Sequence, residues 1–186
     1  MKNIYIIGTP RSGKTTLARL IKEKYPIYNQ ISFEAVRNGF IETQPELNMN
    51  NRNSVARKNI LPKHIVSLAH YNSKISNNPS LVEGSFCTIK NLYGLIDEND
   101  LVICLGLGCR SLEEIVDGII DNDEEKDYTK NWTKEQIKKH FYNIVDEDKE
   151  NYSYCIENNI MYYDTYKNRK DIFYEILNYI SDINNR

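Results

Sequence analysis

Five short apolar runs recur along the chain and have the composition of buried β-strands. Most are rich in isoleucine, valine, leucine or tyrosine, and polar or glycine-containing segments separate them. Apolar runs of this length are typical of strands that are covered on both faces, as in a parallel sheet. The predicted strands are residues 3–7, 27–33, 81–86, 100–106 and 160–163.

Between these runs, apolar residues recur at spacings of three and four, which predicts amphipathic helices. Pro62 is expected to break or restart one helix, because proline suits the first helical turn. Ser111 with Glu114, and Thr133 with Gln136, have the spacing of capping boxes at two helix starts. The predicted helices cover residues 14–25, 55–60, 62–76, 111–120, 133–157 and a stretch from 171, and the predicted loops are 45–53 and 121–131.

The strands and helices alternate along the chain, which favours an α/β fold with helices on both faces of a parallel sheet. We therefore predict a three-layer α-β-α architecture with a five-stranded parallel sheet. The length of 186 residues fits one domain that covers residues 1–186. Two stretches are predicted as insertions on this core, one at about 44–77 and one at about 109–132.

Charge and cysteine usage exclude several classes of protein. The formal net charge of −2 argues against a strongly basic nucleic-acid-binding surface. The four cysteines form no C-x-x-C pair and no H-E-x-x-H string occurs, so a structural zinc site is not expected. The first apolar run is too short for a signal peptide or a membrane span, and we expect a cytoplasmic protein. The oligomeric state is not indicated.

The strongest chemical signal is the segment that follows the first predicted strand. Residues 8–15 read Gly-Thr-Pro-Arg-Ser-Gly-Lys-Thr and match G-x-x-x-x-G-K-[ST] completely. Two glycines allow a tight turn that exposes backbone N–H groups. Together with the start of the helix that follows, these groups form a favourable site for a phosphate group. Lys14 is expected to reach the β and γ phosphates, and the Thr15 hydroxyl is expected to bind magnesium.

We therefore predict that the chain binds ATP with Mg²⁺. The predicted nucleotide-binding residues are Gly8, Thr9, Pro10, Arg11, Ser12, Gly13, Lys14, Thr15 and Thr16.

The remaining sequence separates the classes of protein that use such a loop. A GTPase would carry D-x-x-G and N-K-x-D, and neither string occurs here. A large mechanical ATPase needs a longer chain, usually with an apolar strand that ends in Asp-Glu, which is also absent. A small kinase, whose short lids exclude water from two substrates, is the class that fits.

Three segments carry a resemblance to a known family. They are residues 8–15, which we call the phosphate loop, the Asn-Trp-Thr element at 131–133 and the Tyr-x-Asp-Thr element at 162–165. The chain resembles the small P-loop kinases of the adenylate kinase, shikimate kinase and nucleoside kinase type, and among them a group of uncharacterised bacterial predicted kinases. The resemblance implies the P-loop NTPase fold with helical lid insertions. It also implies that residues 44–77 form an insertion on the acceptor side of the site and that residues 109–132 form a lid.

The resemblance also implies acidic residues near the acceptor and the metal. Glu34, at the predicted end of the second strand, is a candidate base for a substrate hydroxyl, or else a solvated loop residue. Glu83, in the third strand, is a candidate beside the magnesium-bound water, or else a strand-end residue exposed to water. Arg37 is a candidate clamp for an anionic acceptor, or else a surface arginine. Arg52 and Arg57 are further candidates in the acceptor-side insertion.

Lid arginines in similar kinases neutralise charge on the transferred phosphoryl group. Arg110 is the candidate for this role, because no other arginine lies between Arg57 and Arg169. Trp132 either stacks on a base or pins the lid to the core. Alternatives to Arg110 are Lys126, Lys130 and Lys134, and the loop at 164–168 is expected beside the nucleotide base.

Three functions are compatible with these features. The first is an ATP-dependent kinase for a small metabolite, with Lys14, Glu34, Glu83 and Arg110 as catalytic residues and Arg37 as an acceptor-binding residue. The second is a nucleotide-binding switch that has no small-molecule acceptor. The third is a toxin-like kinase that acts on a nucleotide-sugar or a macromolecule.

Overall fold

The computed structural model describes residues 1–51, 53–85, 88–122 and 128–184 of the chain. It confirms the α/β class, the parallel sheet and the number of strands that the sequence predicts. In chain order the elements are β1 Ile4–Gly8, α1 Lys14–Lys24, β2 Asn29–Ser32, α2 Phe33–Thr43, a 3-10 turn at Pro45–Leu47, α3 Val55–Ser76, β3 Ser80–Gly84, α4 Ile89–Tyr93, β4 Leu101–Gly106, α5 Leu112–Asn122, α6 Lys134–Glu157, β5 Met161–Asp164 and α7 Arg169–Asn184.

The five strands form one parallel sheet in the order β2-β3-β1-β4-β5. All four neighbouring pairs are parallel, and β1 lies at the centre. The register places Ile6 opposite both Glu83 and Ile103. Since all strands run in one direction, the loops that follow them meet at one edge of the sheet, where ligands bind in open α/β sheets.

Helices cover both faces of the sheet, as the three-layer prediction required. Side chains alternate along β1, so Tyr5 and Ile7 pack against one helical layer and Ile4 and Ile6 against the other. One layer is built from α1 and α7, and the other contains α3, α4 and the C-terminal part of α6. Each layer buries its apolar residues, and this burial provides the main driving force for the fold.

A third apolar cluster lies between α5 and the N-terminal part of α6. Both helices turn their apolar residues toward each other, and Leu107 from the loop after β4 joins them. Trp132 packs against this cluster. The capping boxes predicted at Ser111 and Thr133 are both confirmed at the starts of these two helices. We refer to these two helices as the α5–α6 pair.

The segment after β2 differs from the prediction. Residue 33 was predicted as the end of a strand, whereas Phe33 begins helix α2, which the sequence analysis did not predict. Ser32 caps this helix, since its hydroxyl accepts a hydrogen bond from the Ala35 amide. Phe33 and Phe40 then pack in the core on one side of α2. Glu34 consequently lies in the first turn of a helix rather than at the end of a strand.

The predicted break at Pro62 is wrong, because α3 runs without interruption from Val55 to Ser76. Pro62 is buried in this helix and lacks the amide that would bond to the carbonyl of the preceding turn. The predicted acceptor-side insertion contains α3, whose residues Leu61, Ile65 and Ala69 are fully buried against the sheet. The burial of this apolar face outweighs the hydrogen bond that proline removes.

Other predicted boundaries shift by a few residues. Helix α5 extends to Asn122, into the predicted loop at 121–131, and residues 123–127 of that loop lie outside the described residues. The predicted third strand ends at Gly84, and residues 86 and 87 lie outside the described residues. None of the helices in the described ranges combines the length and the apolar character that crossing a bilayer requires.

Candidate nucleotide site

The phosphate loop lies between β1 and α1 at the edge where the parallel strands end. Gly8 has a φ of 132°, and a Cβ atom there would lie 1.9 Å from the carbonyl oxygen of Leu105. The Thr9 amide donates a hydrogen bond of 2.9 Å to the same oxygen, which fixes the loop to β4. A side chain at Gly8 would break this contact, so the first glycine of the motif is required by the close approach of β4.

The second half of the loop turns its backbone toward the start of α1. Gly13 has a φ of 89°, and a Cβ atom there would lie 2.7 Å from the Phe173 ring. Arg11 also has a positive φ, 69°. Helix α1 has no side-chain cap at Gly13 and no acidic residue in its first turn. Its first amides therefore lack the side-chain acceptor that a helix start usually has, and an anion fits there.

Lys14 is buried, with a relative exposure of 6%. Its Nζ atom donates to the carbonyl oxygen of Thr9 at 2.6 Å and lies 3.4 Å from the Ser12 hydroxyl oxygen. Burial lowers the pKa of Lys14 to about 8, although the negative charge of Glu83 opposes this shift. The ammonium group therefore lies within the phosphate loop and is held by the backbone of the loop itself.

Thr15 and Glu83 are brought together by the packing of α1 on the sheet. The Thr15 hydroxyl donates to Oε2 of Glu83 at 3.1 Å. Glu83 is only 6% exposed. Burial raises the pKa of Glu83, the hydrogen bond from Thr15 lowers it, and the charge of Glu34 raises it further. A buried carboxylate beside the hydroxyl that is expected to bind magnesium can contact that ion through a water molecule.

Glu34 and Arg37 lie on α2, on the β2 side of the phosphate loop. Glu34 is exposed, and its charge affects the pKa of both Lys14 and Glu83, after the larger effect of burial. Arg37 is half-buried and its Nη2 atom donates to the side chain of Asn38 at 2.9 Å. Arg57 is buried in α3, with Nη1 at 3.4 Å and 3.5 Å from the carbonyl oxygens of Asn50 and Met49. Arg52 lies outside the described residues.

Arg110 lies on the opposite side of the phosphate loop, beside β5. Its guanidinium group forms an ion pair with Asp164 at 3.1 Å and lies 4.4 Å from the centre of the Tyr166 ring. Its Nε–H group is buried and donates a hydrogen bond to no acceptor within the described part of the chain. The contacts of Arg110 are thus with the loop that is expected beside the base, rather than with Lys14 or Glu83.

The loop after β5 contacts the phosphate loop directly. The Thr165 hydroxyl lies 2.8 Å from the carbonyl oxygen of Ser12 and 3.0 Å from that of Gly106. Arg169 donates from Nη2 to the carbonyl oxygen of Arg11 at 3.0 Å. Its side chain also covers Gly13, where a Cβ atom would lie 3.2 Å from Cδ of Arg169. This loop was expected beside the nucleotide base, and Arg169 was not among the residues predicted from the sequence.

Asp148, in α6, is a second residue that was not predicted from the sequence. Its side chain is fully buried and accepts hydrogen bonds from the Thr9 hydroxyl, the Leu107 and Cys109 amides, and the Tyr162 hydroxyl. A Cβ atom on Gly106 would lie 2.5 Å from Oδ1 of Asp148. The spacing Gly106-x-Gly108 at the end of a predicted strand was the available signal for such a close approach.

The other candidates in and just after the predicted lid have mainly structural contacts. Trp132 stacks edge-on against Tyr128 and His140, with centroid distances of 5.5 and 5.0 Å. Lys134 forms an ion pair with Asp117 at 2.6 Å. Lys126 lies outside the described residues. The structure thus places Trp132 against the α5–α6 pair.

The residues present fit a magnesium-bound nucleoside triphosphate. The uncapped start of α1, the buried ammonium of Lys14 and the Thr15 hydroxyl face one region at the end of β1. Among the described residues, no group of three or more histidine, cysteine, aspartate or glutamate side chains is arranged to hold a metal ion by itself. Magnesium held jointly by Thr15, water and the phosphates needs no such group.

Comparisons with known proteins support the fold but not a specific reaction. No protein-family model and no curated protein sequence matches this chain. Among solved structures, the chain is similar to shikimate kinase from Bacteroides thetaiotaomicron, with a TM-score of 0.63 and 9% sequence identity. The superposition covers 100% of this chain and 99% of the other. The chain therefore shares the α/β fold of that structure.

Proposed function

We propose that this protein is an ATP-dependent kinase that transfers the γ-phosphoryl group to a small-molecule acceptor, with Mg²⁺ and in the cytoplasm. The observation that carries this proposal is the convergence of Lys14, Thr15 and Glu83 at the end of β1 and β3. Thr15 bonds to Glu83 at 3.1 Å, and the Lys14 ammonium is buried beside them. A fold similar to that of a shikimate kinase over the whole chain supports a kinase rather than another P-loop class.

The donor half of the proposed site follows from the phosphate loop. The backbone amides at the start of α1 bind the phosphates, and Lys14 exchanges the Thr9 carbonyl for phosphate oxygens. Thr15 and, through water, Glu83 would hold Mg²⁺, and the ion would neutralise charge on the transferred group. The loop at 164–168 and Arg110 lie beside the base.

The acceptor half of the proposed site lies on the β2 side. Glu34 and Arg37 are on the first turns of α2, and Glu34 is close enough to raise the pKa of Glu83. We assign Glu34 the role of orienting the acceptor hydroxyl and accepting its proton, and Arg37 the role of binding an anionic group on the acceptor. The short α2 helix therefore determines the acceptor in this proposal.

An acceptor screen tests the reaction. The purified protein is incubated with MgATP and single acceptors, namely shikimate, other hydroxy acids, sugars and nucleosides, and ADP formation is measured. We expect one acceptor class to increase ADP formation at least tenfold over the acceptor-free rate, and Lys14→Ala to abolish the increase. Full activity of Lys14→Ala with that acceptor would overturn the assignment.

A nucleotide-binding switch is the second candidate function. The observation that favours it is the contact between the base-side loop and α5, because the Tyr166 hydroxyl donates to the carbonyl oxygen of Glu114 at 2.8 Å. A nucleotide that moves Tyr166 would also move α5. Phosphate release that no acceptor stimulates, together with a nucleotide-dependent change in α5, would favour the switch over the kinase.

A further inference from the structure

Asp148 lies in helix α6, between the part that packs in the α5–α6 pair and the part that packs on the sheet. The residues before it, including Ile144 and Val145, belong to the apolar cluster of the α5–α6 pair. Cys155, two turns later, belongs to the core on the sheet. The helix therefore has one end in the α5–α6 pair and the other on the sheet, and the buried carboxylate lies between the two.

The carboxylate of Asp148 holds the loop through which the chain leaves β4 for α5. The Leu107 amide donates to it at 3.1 Å and the Cys109 amide at 3.0 Å, while the Gly108 amide donates to the Tyr162 hydroxyl at 3.2 Å. Gly108 and Cys109 both have positive φ, 71° and 55°. Successive amides that turn inward form a concave anion site, and here the anion is a side chain of the protein itself.

The same carboxylate reaches the phosphate loop. Thr9 is only 2% exposed, and its hydroxyl donates to Oδ1 of Asp148. Thr9 is also the residue whose carbonyl oxygen holds the Lys14 ammonium at 2.6 Å. One side chain on α6 thus fixes both the residue that holds the phosphate-binding lysine and the loop at the base of α5.

The chemistry of these contacts requires a carboxylate. All four groups that face Asp148, the two amides and the two hydroxyls, donate to it. An ionised carboxylate only accepts hydrogen bonds, whereas an asparagine would turn an NH₂ group toward at least one of these donors. Leaving a buried donor without an acceptor destabilises the arrangement more than losing a typical surface hydrogen bond.

We propose that Asp148 is a positioning residue that couples the phosphate loop to the α5–α6 pair. When the phosphate loop rearranges around a nucleotide, Thr9 shifts against Asp148, and residues 107–110 shift with it. The proposal uses the proposed function in one respect only, namely that residues 8–15 are where a nucleotide binds. It does not depend on which acceptor, if any, receives the phosphoryl group.

Substitutions at Thr9 test this coupling and leave the Asp148 side chain itself in place. Thr9→Val keeps the shape and removes the hydroxyl that donates to Asp148, and Thr9→Ser retains a hydroxyl as the conservative rescue. Ser73→Ala is the matched control, because it removes a hydroxyl that donates at 2.6 Å to Asn3, which precedes β1 at the far end of the sheet. Asp148→Asn is an independent variant that changes the other partner of the hydrogen bond between Thr9 and Asp148.

Amide hydrogen exchange is measured first, on the nucleotide-free proteins. We expect Thr9→Val and Asp148→Asn to accelerate exchange at residues 107–110 by about tenfold, which is the loss expected for one buried hydrogen bond. Thr9→Ser and Ser73→Ala should exchange there like the wild type. The coupling would be overturned if Thr9→Val accelerated amide exchange only at residues 8–15. It would also be overturned if Ser73→Ala accelerated exchange at residues 107–110 as much as Thr9→Val does.

Binding of MgADP is then followed through the fluorescence of Trp132, the single tryptophan, which packs on the α5–α6 pair. We expect the wild type and Thr9→Ser to show a fluorescence change on binding, and Thr9→Val to lose at least half of it even at saturation. A full change in saturated Thr9→Val would overturn the coupling. A wild type that binds no MgADP in calorimetry would contradict the proposed function, while the exchange comparison decides the coupling independently.

Discussion

The Nζ atom of Lys14 donates a hydrogen bond of 2.6 Å to the carbonyl oxygen of Thr9, five residues earlier in the same loop. The ammonium group therefore faces the backbone of its own loop, in a position that is nearly inaccessible to water. Burial lowers the pKa of Lys14 from 10.5 to about 8. The lysine that is predicted to bind phosphate is thus held in an environment that disfavours its charge, and two measurable effects follow.

The first effect is on stability. Lys14→Met removes a buried charge and retains an apolar chain of similar length, so we expect its free energy of unfolding at pH 7 to exceed that of the wild type by about 1 to 3 kcal/mol. Its MgATP binding should be lost. Between pH 8 and 10.5 the unfolded chain binds more protons at position 14 than the folded one, so the wild type gains stability with rising pH. The difference between the two proteins should shrink over this interval.

Urea denaturation at several pH values measures this difference, with Lys24→Met as a control because Lys24 is exposed at the end of α1. A Lys14→Met protein that is less stable than the wild type at pH 7 would show that the bond to Thr9 outweighs the burial of the charge.

The second effect is on nucleotide affinity. Phosphate oxygens bind the ammonium form of Lys14, whose pKa in the free protein is about 8. We expect the association constant for MgADP to be nearly constant from pH 6.5 to 7.5 and to fall toward tenfold per pH unit above pH 8. Calorimetry in buffers of matched ionic strength measures it. Lys14→Arg, whose side chain stays charged, should show no such fall, and an identical fall in that variant would point to another group.

Glu83 is the carboxylate that the proposed magnesium site depends on. Glu83→Gln keeps an oxygen that accepts from Thr15 but removes the charge, so we expect phosphoryl transfer to fall by about 100-fold and the concentration of Mg²⁺ for half-maximal rate to rise. Initial rates over a Mg²⁺ titration provide the measurement. Glu98→Gln is the control because Glu98 is exposed between α4 and β4. An unchanged Mg²⁺ dependence in Glu83→Gln would remove Glu83 from the metal site.

Arg110 has two candidate roles that kinetics separate. Its contacts with Asp164 and Tyr166 place it beside the loop that is expected to contact the base. We therefore expect Arg110→Ala to raise the KM for ATP about tenfold and to lower kcat by less. Steady-state rates at saturating acceptor measure both constants. A fall that appears mainly in kcat would instead support the role in stabilising the transferred phosphoryl group.

Two glycines with opposite surroundings give a matched test of the fold. A Cβ atom at Gly8 would lie 1.9 Å from the Leu105 carbonyl oxygen, whereas one at Gly39, in α2, would meet nothing within 4 Å. We expect Gly8→Ala to destabilise the protein by about 2 to 4 kcal/mol and Gly39→Ala to stabilise it by about 0.5 to 1 kcal/mol. Thermal unfolding measures both, and a stable Gly8→Ala would contradict the described loop.

The sequence by itself predicted the parts of this protein that local chemistry governs. Apolar runs identified all five strands, and the spacing of Gly8, Gly13 and Lys14 predicted the phosphate loop, because such a loop needs these residue types whatever surrounds it. The capping boxes at Ser111 and Thr133 could also be predicted from the sequence, since their partners lie three residues away.

Tertiary structure decided the rest, since the deciding contacts join residues distant in sequence. The burial of α3 on the sheet carries the helix through Pro62, and the packing of Phe33 and Phe40 turns residues 33–43 into a helix. Asp148 is 139 residues from Thr9, and Arg169 is 158 residues from Arg11. No local pattern relates such pairs, because their chemistry depends on which loops the parallel sheet brings to one edge.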